Sequence, residues 1–143
     1  RREEALKIEE KNQKDEMALR EEKLKKSRAK LALHEAAEAA RFFCQSKPEC
    51  EKAFSLTQVF VSENADMKIQ VATDTIIDTY NPTDSMKIGL KAIKMPRKGD
   101  AAEIILTAAC RDEGRESFMD LCDRRLLLIY RRFPKFIQTG IRQ

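Results

Sequence analysis

From residue 1 to about 45 the chain is polar with scattered apolar positions and contains neither Gly nor Pro. Ala, Leu, Glu, Lys and Arg dominate the stretch, and as the strongest helix formers they predict one long helix. Acids stand four positions before bases at Glu3/Lys7, Glu10/Lys14, Glu16/Arg20, Glu21/Lys25 and Glu22/Lys26. That order supports a helix with little to pack against, by roughly 0.2–0.5 kcal/mol per pair. The apolar seam is broken: Met17, Leu24 and Leu31 fall seven apart, but residues 9–16 hold no apolar side chain. Two readings follow, a solvated linker helix and a helix that self-associates as a coiled coil through Met17, Leu24 and Leu31. From Ala29 onward, Ala29, Leu33, Ala36, Ala37, Ala40 and Phe43 form a face of mostly small residues that lets another element approach closely. Residues 1–28 thus read as an exposed stalk and 29–45 as its docked end.

A second helix is predicted over 47–63. Ser46 can cap it, Pro48 suits its first turn, and Glu49 completes a capping-box spacing. Ala53, Phe54, Leu56, Val59, Phe60 and Val61 give it a broad apolar face. The period then shortens to two. Ile69, Val71, Thr73, Thr75, Ile77 and Thr79 alternate with their neighbours, predicting one strand over 67–80. Asn81-Pro82-Thr83-Asp84 is a turn by its own chemistry. Met86, Ile88, Leu90 and Ala92 mark a second strand, in which Gly89 signals a bulge or a close approach. Pro96 to Asp100 turns the chain again, and Glu103 to Cys110 forms a third strand. A loop around Gly114 leads to a last helix over 117–132, which Pro134 interrupts.

The expected fold class is α+β in the order α-α-β-β-β-α: a long N-terminal helix, a second helix, a three-stranded antiparallel meander and a C-terminal helix, with helices covering one side of the sheet. Residues 1–41 form an extended charged helix, and residues 42–143 form a small α+β domain.

Composition narrows the picture further. Four Gly and four Pro in 143 residues exclude a many-turned all-β sandwich or barrel. Residues 1–41 carry 12 basic and 10 acidic side chains and residues 42–143 carry 16 and 14, so neither part is a polycation. Nucleic acid is therefore a disfavoured partner. No apolar run approaches the roughly 20 residues of a membrane span. The chain begins Arg1-Arg2 without an initiator Met, which leads us to expect an upstream signal peptide or membrane anchor.

Four cysteines are the strongest chemical signal. Cys44 and Cys50 are separated by five residues and Cys110 and Cys122 by eleven, spacings unlike the two to four residues of a zinc knuckle. Four Cys allow three disulfide connectivities. The predicted elements favour the sequential one, Cys44–Cys50 stapling the helix–helix corner and Cys110–Cys122 pinning the last helix to the sheet. Disulfides imply an oxidising compartment, periplasmic or extracellular.

Catalytic constellations are missing from the sequence. His34 is the one histidine and lies in an Ala/Leu/Glu helix. No P-loop, G-x-G-x-x-G or G-x-S-x-G occurs, and no cofactor is expected. One basic-aromatic cluster closes the chain: Arg124, Arg125, Tyr130, Arg131, Arg132, Phe133, Lys135 and Phe136. It reads either as core aromatics with an arginine outer face or as a partner-binding surface for anionic lipid, glycan or nucleic acid. A protein-binding groove beside the exposed sheet is a further candidate. These features favour a non-enzymatic protein-interaction or scaffold domain of a membrane-anchored cell-envelope protein, whose partner is another protein or, through the N-terminal helix, a second copy. The alternative is a cytosolic adaptor or nucleic-acid-associated protein with reduced cysteines, binding through the C-terminal basic-aromatic helix.

Overall fold

The computed structural model describes residues 1–84, 86–111 and 116–143, with the side chains of 116–120 excepted. The elements are α1 (Arg2–Ala39), β1 (Arg41–Cys44), α2 (Lys47–Asn64), β2 (Ile69–Ala72), β3 (Ile76–Thr79), β4 (Ile88–Pro96), β5 (Ala102–Cys110) and α3 (Glu116–Arg142). The class is α+β. Its sheet has five antiparallel strands in the order β1-β5-β4-β3-β2, two more than the predicted meander. The expected loop around Gly114 lies outside the described residues.

The chain divides into two units, Arg1–His34 and Glu35–Gln143. The first is helix alone. Leu6, Met17, Leu24 and Leu31 are exposed on it, and Glu22 and Lys26 form an ion pair at 3.8 Å.

Both extra strands come from segments whose local pattern pointed elsewhere. The helix predicted to residue 45 stops at Ala39, because the carbonyl of Ala40 accepts the amide of Leu106 at 3.0 Å from β5. The next four residues then pair along that edge, Arg41 opposite Ile105 and Cys44 opposite Ala102. Phe42 and Phe43 favour a pleated, half-buried surface over a helix once such an edge is offered. The strand predicted over 67–80 folds back on itself as the β2–β3 hairpin. The Thr73 hydroxyl accepts the amides of Thr75 at 3.2 Å and Ile76 at 3.0 Å, so a local side-chain turn replaces the middle of the strand.

Helices α2 and α3 cover one face of the sheet. Ile88, Leu90 and Ala92 of β4 and Ala102, Ile104, Leu106 and Ala108 of β5 are buried beneath them, with Ile77 of β3. Phe60 of α2 meets Phe133 and Phe136 of α3, each at 5.3 Å between ring centroids. The expected cap is present, Ser46 Oγ accepting the Glu49 amide. Pro134 does not end α3, which continues to Arg142. The proline removes the donor that the Tyr130 carbonyl would have received. Burial of Phe133 and Ile137 on either side of it holds the two halves of the helix together. Two glycines permit close approaches. A Cβ on Gly89 would lie 3.1 Å from both Thr79 Oγ1 and the Tyr80 carbonyl, and one on Gly140 would lie 2.6 Å from Leu56.

Candidate functional site

The sheet face turned away from α2 and α3 presents what strand register places there. Ile76, Ile93 and Ile105 lie side by side across β3, β4 and β5, and Arg41 of β1 ends the row. The next row runs Met95, Glu103, Phe43. Phe43 is 60% exposed, Met95 40% and Ile76 37%, an unusual grouping of large apolar side chains on an open surface.

Glu103 is the exception within this patch, a carboxylate only 3% exposed at the centre of the face. Arg41 Nη1 donates to its Oε1 at 2.8 Å, while Arg97 donates to Oε2 through Nε at 3.1 Å and also through Nη2. The Arg41 hydrogen bond holds the carboxyl below the ordinary glutamate range; desolvation works against it, and Arg97 adds to the lowering. Two guanidinium groups on one carboxylate leave a single positive charge in excess. Both arginines remain about two-fifths exposed at their outer edges. The arrangement offers a row of apolar side chains beside surplus guanidinium hydrogen-bond donors, chemistry that fits a carboxylate.

The predicted site residues fall in three places. Cys44–Cys50 and Cys110–Cys122 are disulfides, with Cα–Cα distances of 5.2 Å and 6.3 Å. The first joins the end of β1 to the first turn of α2, and the second joins the end of β5 to α3. Met17, Leu24 and Leu31 are exposed on the Arg1–His34 helix. The basic-aromatic cluster is divided by the amphipathic helix that carries it. Tyr130 and Phe133 are buried and Phe136 is half-buried, whereas Arg124, Arg131, Arg132 and Lys135 face solvent.

Arg125 has a structural task. It pairs with Asp66 at 3.0 Å and donates to the Met86 carbonyl, tying α3 to the segment between α2 and β4. Burial alone would raise the pKa of Asp66, but the hydrogen bonds from Arg125 and the Ile88 amide outweigh it and hold the carboxyl below its ordinary value.

The sequence reading passes over Arg41 and Phe43 because 41–45 reads as helix, and over Arg97 and Glu103 because nothing local shows that Arg41 joins them. One signal was available: Glu103 opens a run of Ile-Ile-Leu, where a charged residue inside a strand needs a partner. A concavity of about 470 Å³ lies between α2 and the β2–β3 and β4–β5 turns, where Lys94 Nζ sits 5.4 Å from the centre of the Phe54 ring. Its rim mixes Lys47 and Lys94 with Glu51, Asp74 and Asp100 and favours no one charge. Among the described residues no group of three or more His, Cys, Asp or Glu side chains could hold a metal ion, and no helix is long and apolar enough to cross a membrane.

Compared with family models, curated proteins and solved structures, the chain matches none.

Proposed function

We propose that this chain is a non-enzymatic protein-interaction or scaffold domain of a cell-envelope protein, working in the periplasm or outside the cell, with the charged helix of residues 1–34 as its stalk. The observation that carries the reading is the uncovered sheet face, where Phe43, Ile76 and Met95 stand exposed around a carboxylate clamped by Arg41 and Arg97. A core this small with an open apolar face is the expected form of a domain that completes its burial on a partner. The two disulfides support an oxidising compartment, where such bonds persist.

A photo-crosslinking residue placed at Ile93 in cells making the protein should form adducts with another protein, and the same residue at Ser55, exposed on α2, should not. Equal labelling at the two positions, or none at Ile93, would remove the docking face from the reading. Alkylation of freshly isolated protein under denaturing conditions tests the compartment separately. Four free thiols would refute an envelope location.

A further inference from the structure

The compact unit has a strongly uneven distribution of charge. Residues 124–143 carry six basic and no acidic side chains, whereas residues 35–123 carry 11 basic and 16 acidic ones. The excess of +6 therefore resides on residues 124–143, the C-terminal part of α3 with Gln143, against −5 on residues 35–123, which include Glu116, Asp120 and Asp123 at the start of that helix.

Helix geometry gathers that charge onto one ridge. At 3.6 residues per turn, Leu121, Arg124, Leu128, Arg131, Arg132 and Lys135 fall within an arc of about 100° and along about 20 Å of helix. All six are exposed, and the opposite arc, with Leu126, Ile129 and Phe133, is buried. Among the described residues the four cations have no ion-pair partner, in contrast to Arg125 with Asp66. The two leucines are 47% and 49% exposed and stand between the cations.

We propose that this ridge adsorbs the protein onto an anionic lipid bilayer, with Leu121 and Leu128 entering the headgroup region and Arg124, Arg131, Arg132 and Lys135 on the lipid phosphates. Long cationic side chains bury their stems in the interface while their heads stay with phosphate and water, and apolar residues between them add burial that a purely polar polyanion does not offer. Nucleic acid fits less well. The aromatics that would stack on bases, Tyr130 and Phe133, are 6% and 0% exposed. The acidic remainder of the unit is repelled by an anionic surface, so the same charge asymmetry sets the orientation, ridge downward.

Vesicle sedimentation of the full chain tests this, comparing one part phosphatidylglycerol to three parts phosphatidylcholine with phosphatidylcholine alone. Binding is expected on the anionic vesicles only, and it should be lost when salt is raised from 0.05 M to about 0.5 M, where screening is strong. Each cation contributes about a fivefold factor at such a surface, so Arg131→Gln/Arg132→Gln should weaken partitioning about 25-fold with an unchanged circular dichroism spectrum. The chain has no Trp, so a single introduced one reports without background. Leu128→Trp emission should shift to the blue on anionic vesicles, and Thr107→Trp, on the uncovered sheet face, should not. Equal binding to neutral vesicles, no binding to anionic vesicles at low salt, unweakened binding of the double variant, an unshifted Leu128→Trp, or tighter binding to a DNA or RNA oligonucleotide at the same salt would each overturn the proposal.

Discussion

The hydroxyl of Tyr130 accepts the amide of Ala108 at 2.9 Å and donates to the carbonyl of the same residue at 3.1 Å. It occupies the place of a missing strand. Along this edge of β5, β1 pairs as far as Ile105 and the Ala40 carbonyl takes the amide of Leu106. Beyond that point the backbone groups of Ala108 would be buried without partners. A single phenol on α3 satisfies both and fixes the height of the helix over the sheet.

Tyr130→Phe should therefore destabilise the protein by about 1–3 kcal/mol, since it leaves a buried donor and acceptor unpaired while changing little volume. Urea denaturation at neutral pH measures this. A loss below about 0.5 kcal/mol would mean that water replaces the hydroxyl.

The two disulfides close loops of different length, with sequence separations of 6 and 12. In the chain-entropy account each stabilises the fold by about 2–3 kcal/mol, the longer loop slightly more. Cys44→Ala/Cys50→Ala and Cys110→Ala/Cys122→Ala should each lower the melting temperature by about 10 °C for a unit of this size. Scanning calorimetry of the two variants, alongside the wild type with and without reductant, checks both the size and the order.

Glu103 and Asp66 both have folded-state pKa values below their ordinary ones of 4.5 and 3.8. A depressed carboxyl pKa stabilises the folded state above the unfolded pKa, and that contribution is lost as pH falls through the folded value. Stability should therefore hold near neutrality and decline as the solution is acidified below about pH 4.5, the ordinary glutamate value. Glu103→Gln should flatten this decline. It should also destabilise the protein at pH 7, because Arg41 and Arg97 then face each other across a neutral amide. Denaturant midpoints taken from pH 7 down to pH 3 on both proteins test the sign.

If the Arg1–His34 helix self-associates through Met17, Leu24 and Leu31, the full chain should sediment as a dimer or larger species at micromolar concentration. Leu24→Lys should shift it toward monomer without altering the melting of the disulfide-bonded unit, since Leu24 is 52% exposed and outside that unit. Sedimentation velocity of the two proteins side by side decides it. A wild-type monomer would leave the solvated-helix reading.

Local pattern was sufficient wherever the side chains carry their own instruction. Ser46, Pro48 and Glu49 start α2 as their capping chemistry requires, and the apolar spacing of Leu126, Ile129, Tyr130 and Phe133 gives α3 its buried stripe. Of the two readings of Gly89, a bulge or a close approach, the structure has the second: it faces Thr79 and the Tyr80 carbonyl at contact distance, with strand register unshifted. The sequential cysteine pairing followed from predicting which elements were neighbours. Two segments defeated the same reasoning. Residues 41–45 follow a helical segment without a Gly or Pro between, and residues 67–80 keep an alternation broken only at Ala72 and Ile76, so neither window contains a strong breaker to announce an edge strand or a hairpin. The open face was illegible for a related reason: Arg97 meets Glu103 across the β4–β5 turn, but Arg41, 62 positions away, reaches it only through the pairing of β1 with β5.

The amino-acid sequence by itself determined the α+β class, a charged helix ahead of a small compact unit, the caps and turns, and four cysteines placed to bridge. These depend on intrinsic propensity and on hydrophobic period, which act over a few residues. Tertiary structure decided the number of strands, which face of the sheet stays open, and which arginines are held in ion pairs. The added β1 strand, and with it the Arg41–Glu103 pair, depends on backbone groups along β5 finding partners from a distant part of the chain. An edge of that kind can draw Arg41–Cys44 out of a helix because its hydrogen bonds and burial outweigh a local preference of a few tenths of a kcal/mol per residue, roughly the spread of helix propensities.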